Sequence, residues 1–228
     1  MIVLAAHGTR DPAGAVVVEG LADLVRARGF DVRVAYADVR APDVTTVLDS
    51  LPRLLPRGAG PVVVVPAFLA AGYHVRVDIP AQVEASARSD VVVARCFGPA
   101  RELIDVMAER LHDAGYHQND HVVLAAAGSG DVRALSDVDN AAHALALRLG
   151  TPVRVGYAAT ASPSVADVVE QAHGRVAVAS WLLAPGLFQR RVAEAGAEVC
   201  AAPLGVHPGL ADLVLRRYHR ALRTAEAA

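Results

Sequence analysis

Two histidines and one carboxylate follow three successive apolar segments in the first half of the chain. His7 comes directly after the first segment, Asp38 shortly after the second, and His74 after the turn that ends the third. Because the carboxyl ends of parallel strands meet at one edge of a sheet, we expect these side chains to lie close together. Imidazole nitrogens and carboxylate oxygens bind divalent metals, and a neutral imidazole can also accept a proton. The three residues therefore predict a metal site with open coordination positions, able to release its metal.

The elements that would position these residues alternate between strands and helices. Ala15–Arg28 has apolar residues at helical spacing, and Gly29 stands where a helix commonly ends. Asp78 is expected to cap a further helix ahead of Pro80. The alternation predicts an α/β fold in which helices cover both faces of a small parallel sheet. The other predicted elements of the first half are strands at Ile2–Ala6, Val32–Tyr36, Val62–Val65 and Val91–Ala94 and helices at Val44–Leu55 and Glu102–Leu111.

The second half of the chain repeats the first. Ile2–Thr9 matches Val122–Ser129, and later segments of the two halves match in the same order. The repeated unit is too long for a solenoid, so the repeat indicates two similar α/β domains. We place the catalytic domain at residues 1–117 and the degenerate repeat domain at residues 118–228.

The second copy of the repeat lacks all three candidate ligands. Their counterparts in sequence are Ala127, Ala159 and Phe188, none of which can bind a metal or take a proton. We therefore expect one working site, in the first domain, and a second domain that kept the fold and lost the chemistry.

Composition excludes several other classes of protein. The 228 residues are 54% hydrophobic and carry a formal net charge of −2, which argues against a nucleic-acid binder. The longest apolar run, residues 62–73, is too short to span a bilayer, and the first residues do not resemble a signal peptide. These features predict a cytoplasmic protein. The absence of lysine excludes a Schiff base and a P-loop.

Three further histidines lie together near the predicted domain junction, and no role is expected for them in the solvated linker there. These are His112, His117 and His121. Arg10 and Arg76 each lie within three residues of a candidate histidine, and they suit either ordinary surface charge or a site for an anionic substrate.

The sequence departs from two short motifs of phosphoryl-transferring and hydrolytic enzymes. His7-Gly8-Thr9 is similar to the Arg-His-Gly signature of phosphohistidine phosphatases, but Ala6 stands where that signature needs an arginine. The nucleophile elbow GxSxG is also missing from the sequence. A phosphoryl-handling enzyme that uses His7 remains the weaker alternative.

Two longer motifs resemble the sirohydrochlorin chelatase family, the class II cobalt- and iron-inserting chelatases. The motifs are Leu4–Arg10 and Pro66–Pro80. The resemblance implies the chelatase-like fold in its two-domain, fused-repeat form. It also implies insertion of a divalent metal into sirohydrochlorin, on the way to siroheme or cobalamin, with His7 and His74 as the metal-handling and proton-accepting pair. Asp38 stands where many members have glutamate, so its part in metal binding is the less certain expectation.

Further expectations concern the substrates and the assembly. Fe²⁺ is the first-choice metal and Co²⁺ the second, with no other cofactor and no need for ATP. Arg10 and Arg76 would bind carboxylates of the tetrapyrrole. A monomer suffices because the repeat supplies the second half internally. A non-catalytic protein that only binds a tetrapyrrole or a metal remains an alternative from another class.

Overall fold

Each half of the chain forms its own four-stranded parallel sheet. The computed structural model describes residues 1–52 and 60–227. In the first sheet the strand order is β2-β1-β3-β4, and Ile2 of the central strand lies opposite Val32 and Val63. The second sheet repeats this order as β6-β5-β7-β8. The strands are β1 (Ile2–Ala6), β2 (Val32–Tyr36), β3 (Val62–Pro66), β4 (Val91–Val93), β5 (His121–Ala126), β6 (Val153–Tyr157), β7 (Val176–Trp181) and β8 (Val199–Cys200).

Helices connect the parallel strands, as a parallel sheet requires. They confirm the predicted α/β class, with one small parallel sheet in each half of the chain. A π-helical turn, His74–Asp78, directly precedes one of them. The helices are α1 (Pro12–Arg26), α2 (Val44–Ser50), α3 (Ile79–Ala85), α4 (Arg101–Asp113), α5 (Val132–Leu149), α6 (Val165–Glu170), α7 (Leu187–Ala193) and α8 (Pro208–Glu226).

The bounds of the predicted helices differ from those in the structure by a few residues. Helix α1 begins earlier than expected because the Asp11 side chain accepts from the amide of Ala13 and Pro12 starts the helix. Helix α2 ends at Ser50, and the predicted end at Leu55 lies outside the described residues. The expectation that Asp78 caps a helix is wrong, because its backbone is already helical and its side chain bonds no free amide.

The loops after β1 and β5 are built alike, which supports the predicted repeat at the level of atoms. The amide of Asp38 donates to the carbonyl of His7 at 3.0 Å, and the amide of Ala159 donates to that of Ala127 at 2.9 Å. The glycine after His7, Gly8, has a φ of +90° and lies so close to Asp38 that no side chain would fit there. This close approach brings the ends of β1 and β2 together.

The two compact units differ from the predicted division at residue 117. Helix α4 packs against α5 and β7, and α8 packs against α1 and β3. The units are therefore residues 1–97 together with α8, and residues 98–207. Buried Arg217 of α8 holds its helix in the first unit by donating to the carbonyl of Phe97 at 2.7 Å. Along the sequence, the first repeat ends near residue 117. In the structure, its last helix, α4, packs against the second sheet, and the last helix of the second repeat, α8, packs against the first sheet.

The first unit has its core around the central strand of its sheet. All five residues of β1 are buried, and α2 packs Val44, Val47 and Leu48 against one face of the sheet. On the described residues, no helix has the length and apolar character needed to cross a membrane. The rigid central strands hold the loops at their carboxyl ends, where the candidate ligands lie.

Candidate metal centre

The structure brings the three predicted ligands together at the carboxyl edge of the first sheet. His7 follows β1, Asp38 follows β2, and His74 begins the π-helical turn after β3. One ligand atom from each lies within 4.8 Å of the other two, and this is the one such group in residues 1–52 and 60–227. The imidazole rings of His7 and His74 meet edge to face, with their centroids 4.4 Å apart.

Hydrogen bonds determine which nitrogen each imidazole offers to the site. His7 Nδ1 lies 2.8 Å from the carbonyl oxygen of Gly8, and His74 Nδ1 lies 2.6 Å from Oδ2 of Asp78. Carbonyl and carboxylate oxygens only accept, so each contact is a hydrogen bond when Nδ1 carries the proton. Nε2 of each histidine then keeps its lone pair, which is the form that binds a metal or accepts a proton.

The loop that carries Asp38 is tied to helix α3 by Gln82. The Gln82 amide group donates to the carbonyl of Ala37 at 2.8 Å, and its oxygen accepts from the amide of Val44 at 3.0 Å. The hydroxyl of Thr45 donates to the carbonyl of Gln82 at 2.8 Å. Gln82 thus fixes the end of β2 relative to the element that carries His74.

The exposure of the candidate ligands suits a site that holds a metal without enclosing it. The ligand atoms of the three residues lie within 4.8 Å of one another, and three protein ligands leave at least one position of a tetrahedral metal open. His7 and Asp38 are exposed. A metal bound here would keep positions open for a second set of nitrogen ligands.

Aromatic side chains lie beside the histidine pair, a feature that sequence analysis did not single out. The Phe68 ring lies 6.1 Å from that of His7 and 6.2 Å from that of His74, measured between centroids. Tyr73 and Val77, on either side of His74, are 59% and 41% exposed. Exposed apolar groups beside metal ligands suit the flat face of a large conjugated ring. In the sequence, the signal for these apolar groups was the apolar composition of the motif Pro66–Pro80.

Arg40 is a candidate binding residue that the sequence analysis missed. Its guanidinium donates to the carbonyl of Thr9 at 3.2 Å and lies 5.7 Å from the centroid of the Tyr36 ring. Burial raises the pKa of the Tyr36 phenol, so the ring beside this cation stays neutral. The sequence signal for Arg40 was its position two residues after the candidate ligand Asp38. Arg40 is thus held beside the loop that carries His7.

The two arginines proposed from sequence are both exposed, and their role stays a prediction. Arg10 lies in the loop between His7 and α1, and Arg76 lies within the π-helical turn. Nε of Arg76 donates to the carbonyl of Ala71 at 3.1 Å.

The histidines near residue 117 lie outside the cluster of ligands. His112 is in the last turn of α4, and His117 lies in the connection that follows. The expectation of a linker is wrong for His121, which begins β5 because its backbone pairs with β7. Its Nε2 lies 2.8 Å from the carbonyl oxygen of His173.

The matching edge of the second sheet carries no set of metal ligands among the described residues. The loop after β5 has Ala127 and Ala159 at the positions of His7 and Asp38, with the same backbone hydrogen bond between them. Phe188, in the first turn of α7, is 40% exposed. The candidate metal ligands found among the described residues thus lie in the first unit.

Comparison with known proteins finds the same fold and family. The family model described as CbiX matches residues 1–114 and again residues 121–221. The chain is 25% identical over 236 residues to a sirohydrochlorin ferrochelatase of Priestia megaterium, a match that covers 93% of this chain and 87% of that protein. It is 26% identical over 114 residues to a sirohydrochlorin cobaltochelatase of Sulfolobus acidocaldarius, covering 50% of this chain and 90% of the relative.

A solved structure shares the whole architecture. The chain superposes on SirB from Bacillus subtilis with Fe³⁺ at a TM-score of 0.80 and 21% identity, covering 99% of this chain and 96% of that one. Because the identity is low, this likeness establishes the two-sheet fold only. The function has to be argued from the residues of the site.

Proposed function

The chain belongs to the CbiX family, and we propose that it is a chelatase that inserts a divalent metal ion into sirohydrochlorin. The observation that carries the proposal is the cluster of His7, Asp38 and His74 at one sheet edge, with both Nε2 atoms free of the hydrogen bonds that hold Nδ1. The relatives named as ferrochelatase and cobaltochelatase support the same reaction class.

The reaction exchanges one metal ion for two protons. The M²⁺ ion leaves its protein and water ligands and forms bonds to the four pyrrole nitrogens, and the two protonated nitrogens each lose H⁺. No electron is transferred, so no redox partner is needed. The protein therefore has two tasks, which are to hold the metal at the face of the ring and to accept protons as they leave.

The two imidazoles can perform both tasks from one side of the macrocycle. Nε2 of His7 or His74 can bind the metal first, and an Nε2 vacated by the metal can take a pyrrole proton. When His74 is protonated at Nε2, the neighbouring carboxylate of Asp78 compensates the positive charge. Asp38 adds a negative charge that attracts the cation to the site.

The surroundings of the ligands suit a large ring that carries many carboxylates. Phe68, Tyr73 and Val77 offer apolar surface beside the histidines. We assign Arg10, Arg76 and the newly identified Arg40 to the carboxylates of the substrate, since guanidinium groups bind carboxylates in two-point contacts.

Several finer features stay part of the proposal. Fe²⁺ is the first-choice metal, which gives siroheme, and Co²⁺ is the second. No further cofactor and no ATP are part of the proposal, because exchange of a metal ion for protons is not a redox step and the sequence has no nucleotide-binding motif. We also propose a monomer that works in the cytoplasm, since the two units come from one chain. Sedimentation velocity tests the monomer, and an obligate dimer would contradict it.

The test is catalytic turnover without nucleotide. The protein is mixed anaerobically with a hundredfold excess of sirohydrochlorin and with Fe²⁺, Co²⁺ or Ni²⁺, and the absorbance change of the ring is followed. We expect many products per chain, fastest with Fe²⁺. Product that stops at one per chain would favour a non-catalytic binding protein, and an absolute need for ATP would contradict the proposal.

A further inference from the structure

Asp78 is a carboxylate next to the metal centre that is not among its ligands. Its Oδ2 lies 2.6 Å from Nδ1 of His74, on the side of the ring away from Nε2. Both side chains are 29% exposed, so water competes with this hydrogen bond only in part. The contact joins a ligand to a charged group in a partly dry environment, where hydrogen bonds to ions are strongest.

We propose that Asp78 is a positioning residue that holds His74 in the tautomer with its proton on Nδ1. The inference deepens the proposed function, because it explains how Nε2 keeps its lone pair for the metal or the pyrrole proton. The opposite tautomer would place the lone pair of Nδ1 against a carboxylate oxygen at 2.6 Å, and two acceptors repel each other. Carboxylate partners of metal-binding histidines act in this way in other metal sites.

The π-helical turn supplies the geometry that the proposal needs. His74 and Asp78 lie four residues apart, one turn of the helix, so their side chains share one face. The amide of Ile79 closes the wide turn by donating to the carbonyl of His74. Ile79 is fully buried, and Gln82 anchors the following helix to the loop after β2. The carboxylate is therefore fixed to a rigid element and not to a mobile loop.

His7 provides an internal comparison, because it reaches the same tautomer by a different route. Its Nδ1 donates to the carbonyl oxygen of the next residue, Gly8, at 2.8 Å. A backbone carbonyl is present whatever the side chains are. A substitution of Asp78 is therefore expected to change the tautomer of His74 and to leave that of His7 unaltered.

The test measures the tautomers and metal binding separately from turnover. Metal-free protein with ¹⁵N-labelled histidine is studied by long-range ¹H–¹⁵N NMR, with the His74 signals assigned from the spectrum of His74→Gln. Asp78→Ala removes the acceptor, and Asp78→Asn keeps the shape without the charge. The matched control is Glu109→Gln, which alters the carboxylate 3.2 Å from His207 in the other unit. Thermal melting verifies that each variant is folded.

In the wild type we expect the proton of both site histidines on Nδ1. Asp78→Ala should lower the share of this tautomer at His74 alone and weaken Co²⁺ binding by about 10- to 100-fold, with Asp78→Asn in between and Glu109→Gln unchanged. If Asp78→Ala does not fold, the same comparison rests on Asp78→Asn.

Two results would overturn the assignment of Asp78. One is a wild-type His74 with its proton on Nε2. The other is a folded Asp78 variant that keeps both the wild-type tautomer and a Co²⁺ affinity within about twofold of the wild type, well short of the effect expected. A protein with the expected tautomers and Co²⁺ binding that inserts no metal would sink the proposed function and leave the role of Asp78 standing.

Discussion

Replacing His74 by alanine should slow metal insertion far more than it weakens the fold. The change removes one of the three candidate ligand atoms that lie within 4.8 Å of one another, and it also removes a proposed proton acceptor. General-base catalysis alone contributes about 10²- to 10⁴-fold. A hundredfold loss corresponds to about 2.7 kcal/mol of transition-state stabilisation, at about 1.36 kcal/mol for each factor of ten.

The cost to stability should be smaller because of where His74 lies. Its side chain is 29% exposed, and the hydrogen bond to Asp78 is the one side-chain bond that the described structure gives it. A hydrogen bond to a charged group contributes about 1.5–3 kcal/mol net, and partial exposure to water brings this one towards the lower value. His74→Ala should therefore lose at least about 100-fold in insertion rate while its free energy of unfolding falls by only about 1.5 kcal/mol.

The assay follows the absorbance of sirohydrochlorin at saturating Fe²⁺ and, in parallel, urea unfolding by circular dichroism. His7→Ala should behave like His74→Ala, since its ligand atom belongs to the same cluster. His112→Ala, an exposed histidine in the last turn of α4, is the control and should retain the wild-type rate. Folded variants of His7 and His74 that both insert metal at nearly the wild-type rate would show that the site is elsewhere.

Three further predictions concern the loops and the exchange of helices. Asp38→Ala should fall between the wild type and the histidine variants in insertion rate, because a carboxylate can orient the metal without taking a proton; an unchanged rate would remove it from the site. Gly8→Ala should destabilise by about 1–3 kcal/mol or more in urea, since its φ is +90° and a Cβ would meet the carbonyl of Asp38. Gly29→Ala, with a φ of +87° and open space around it, should cost less, and equal losses would contradict the close approach. A fragment of residues 1–117 should not form a stable monomer, because it lacks α8 and leaves the apolar face of α4 uncovered; a monomeric, cooperatively melting fragment in sedimentation would refute the observed units.

The strands and the repeat could be predicted because their signal is local. β1 and β3 are buried on both faces and are therefore continuously apolar in sequence. The meeting of His7 and Asp38 could be predicted too, because both follow parallel strands that pair in register. His74 belongs with them through the order of the sheet, in which β1 lies between β2 and β3.

The exchange of the last helices could not be predicted, because each carries an apolar face that fits either sheet. Helices α4 and α8 occupy equivalent positions in the repeat and bury similar residues, such as Leu103 and Leu210. Helical periodicity shows that a helix has a face to bury, but it does not show which sheet receives that face.

The proposed role of Asp78 was missed because the sequence allows two interpretations of this residue, a helix N-cap or a partner of His74. An aspartate two residues before Pro80 is typical of a helix N-cap. The alternative signal was the four-residue spacing from His74, which places both side chains on one face only if the segment between them is already helical. A π-helical turn leaves no simple periodicity in sequence, so that condition could not be recognised.

The most direct test of the central claim is transfer of a bound metal ion in a single turnover. Protein loaded with Co²⁺ is mixed with sirohydrochlorin in the presence of a chelator that captures any free metal, and the cobalt product is measured. The proposal predicts close to one product per loaded chain for the wild type and almost none for His7→Ala and His74→Ala. Cobalt that stays on the protein, or product that disappears whenever free metal is captured, would contradict it.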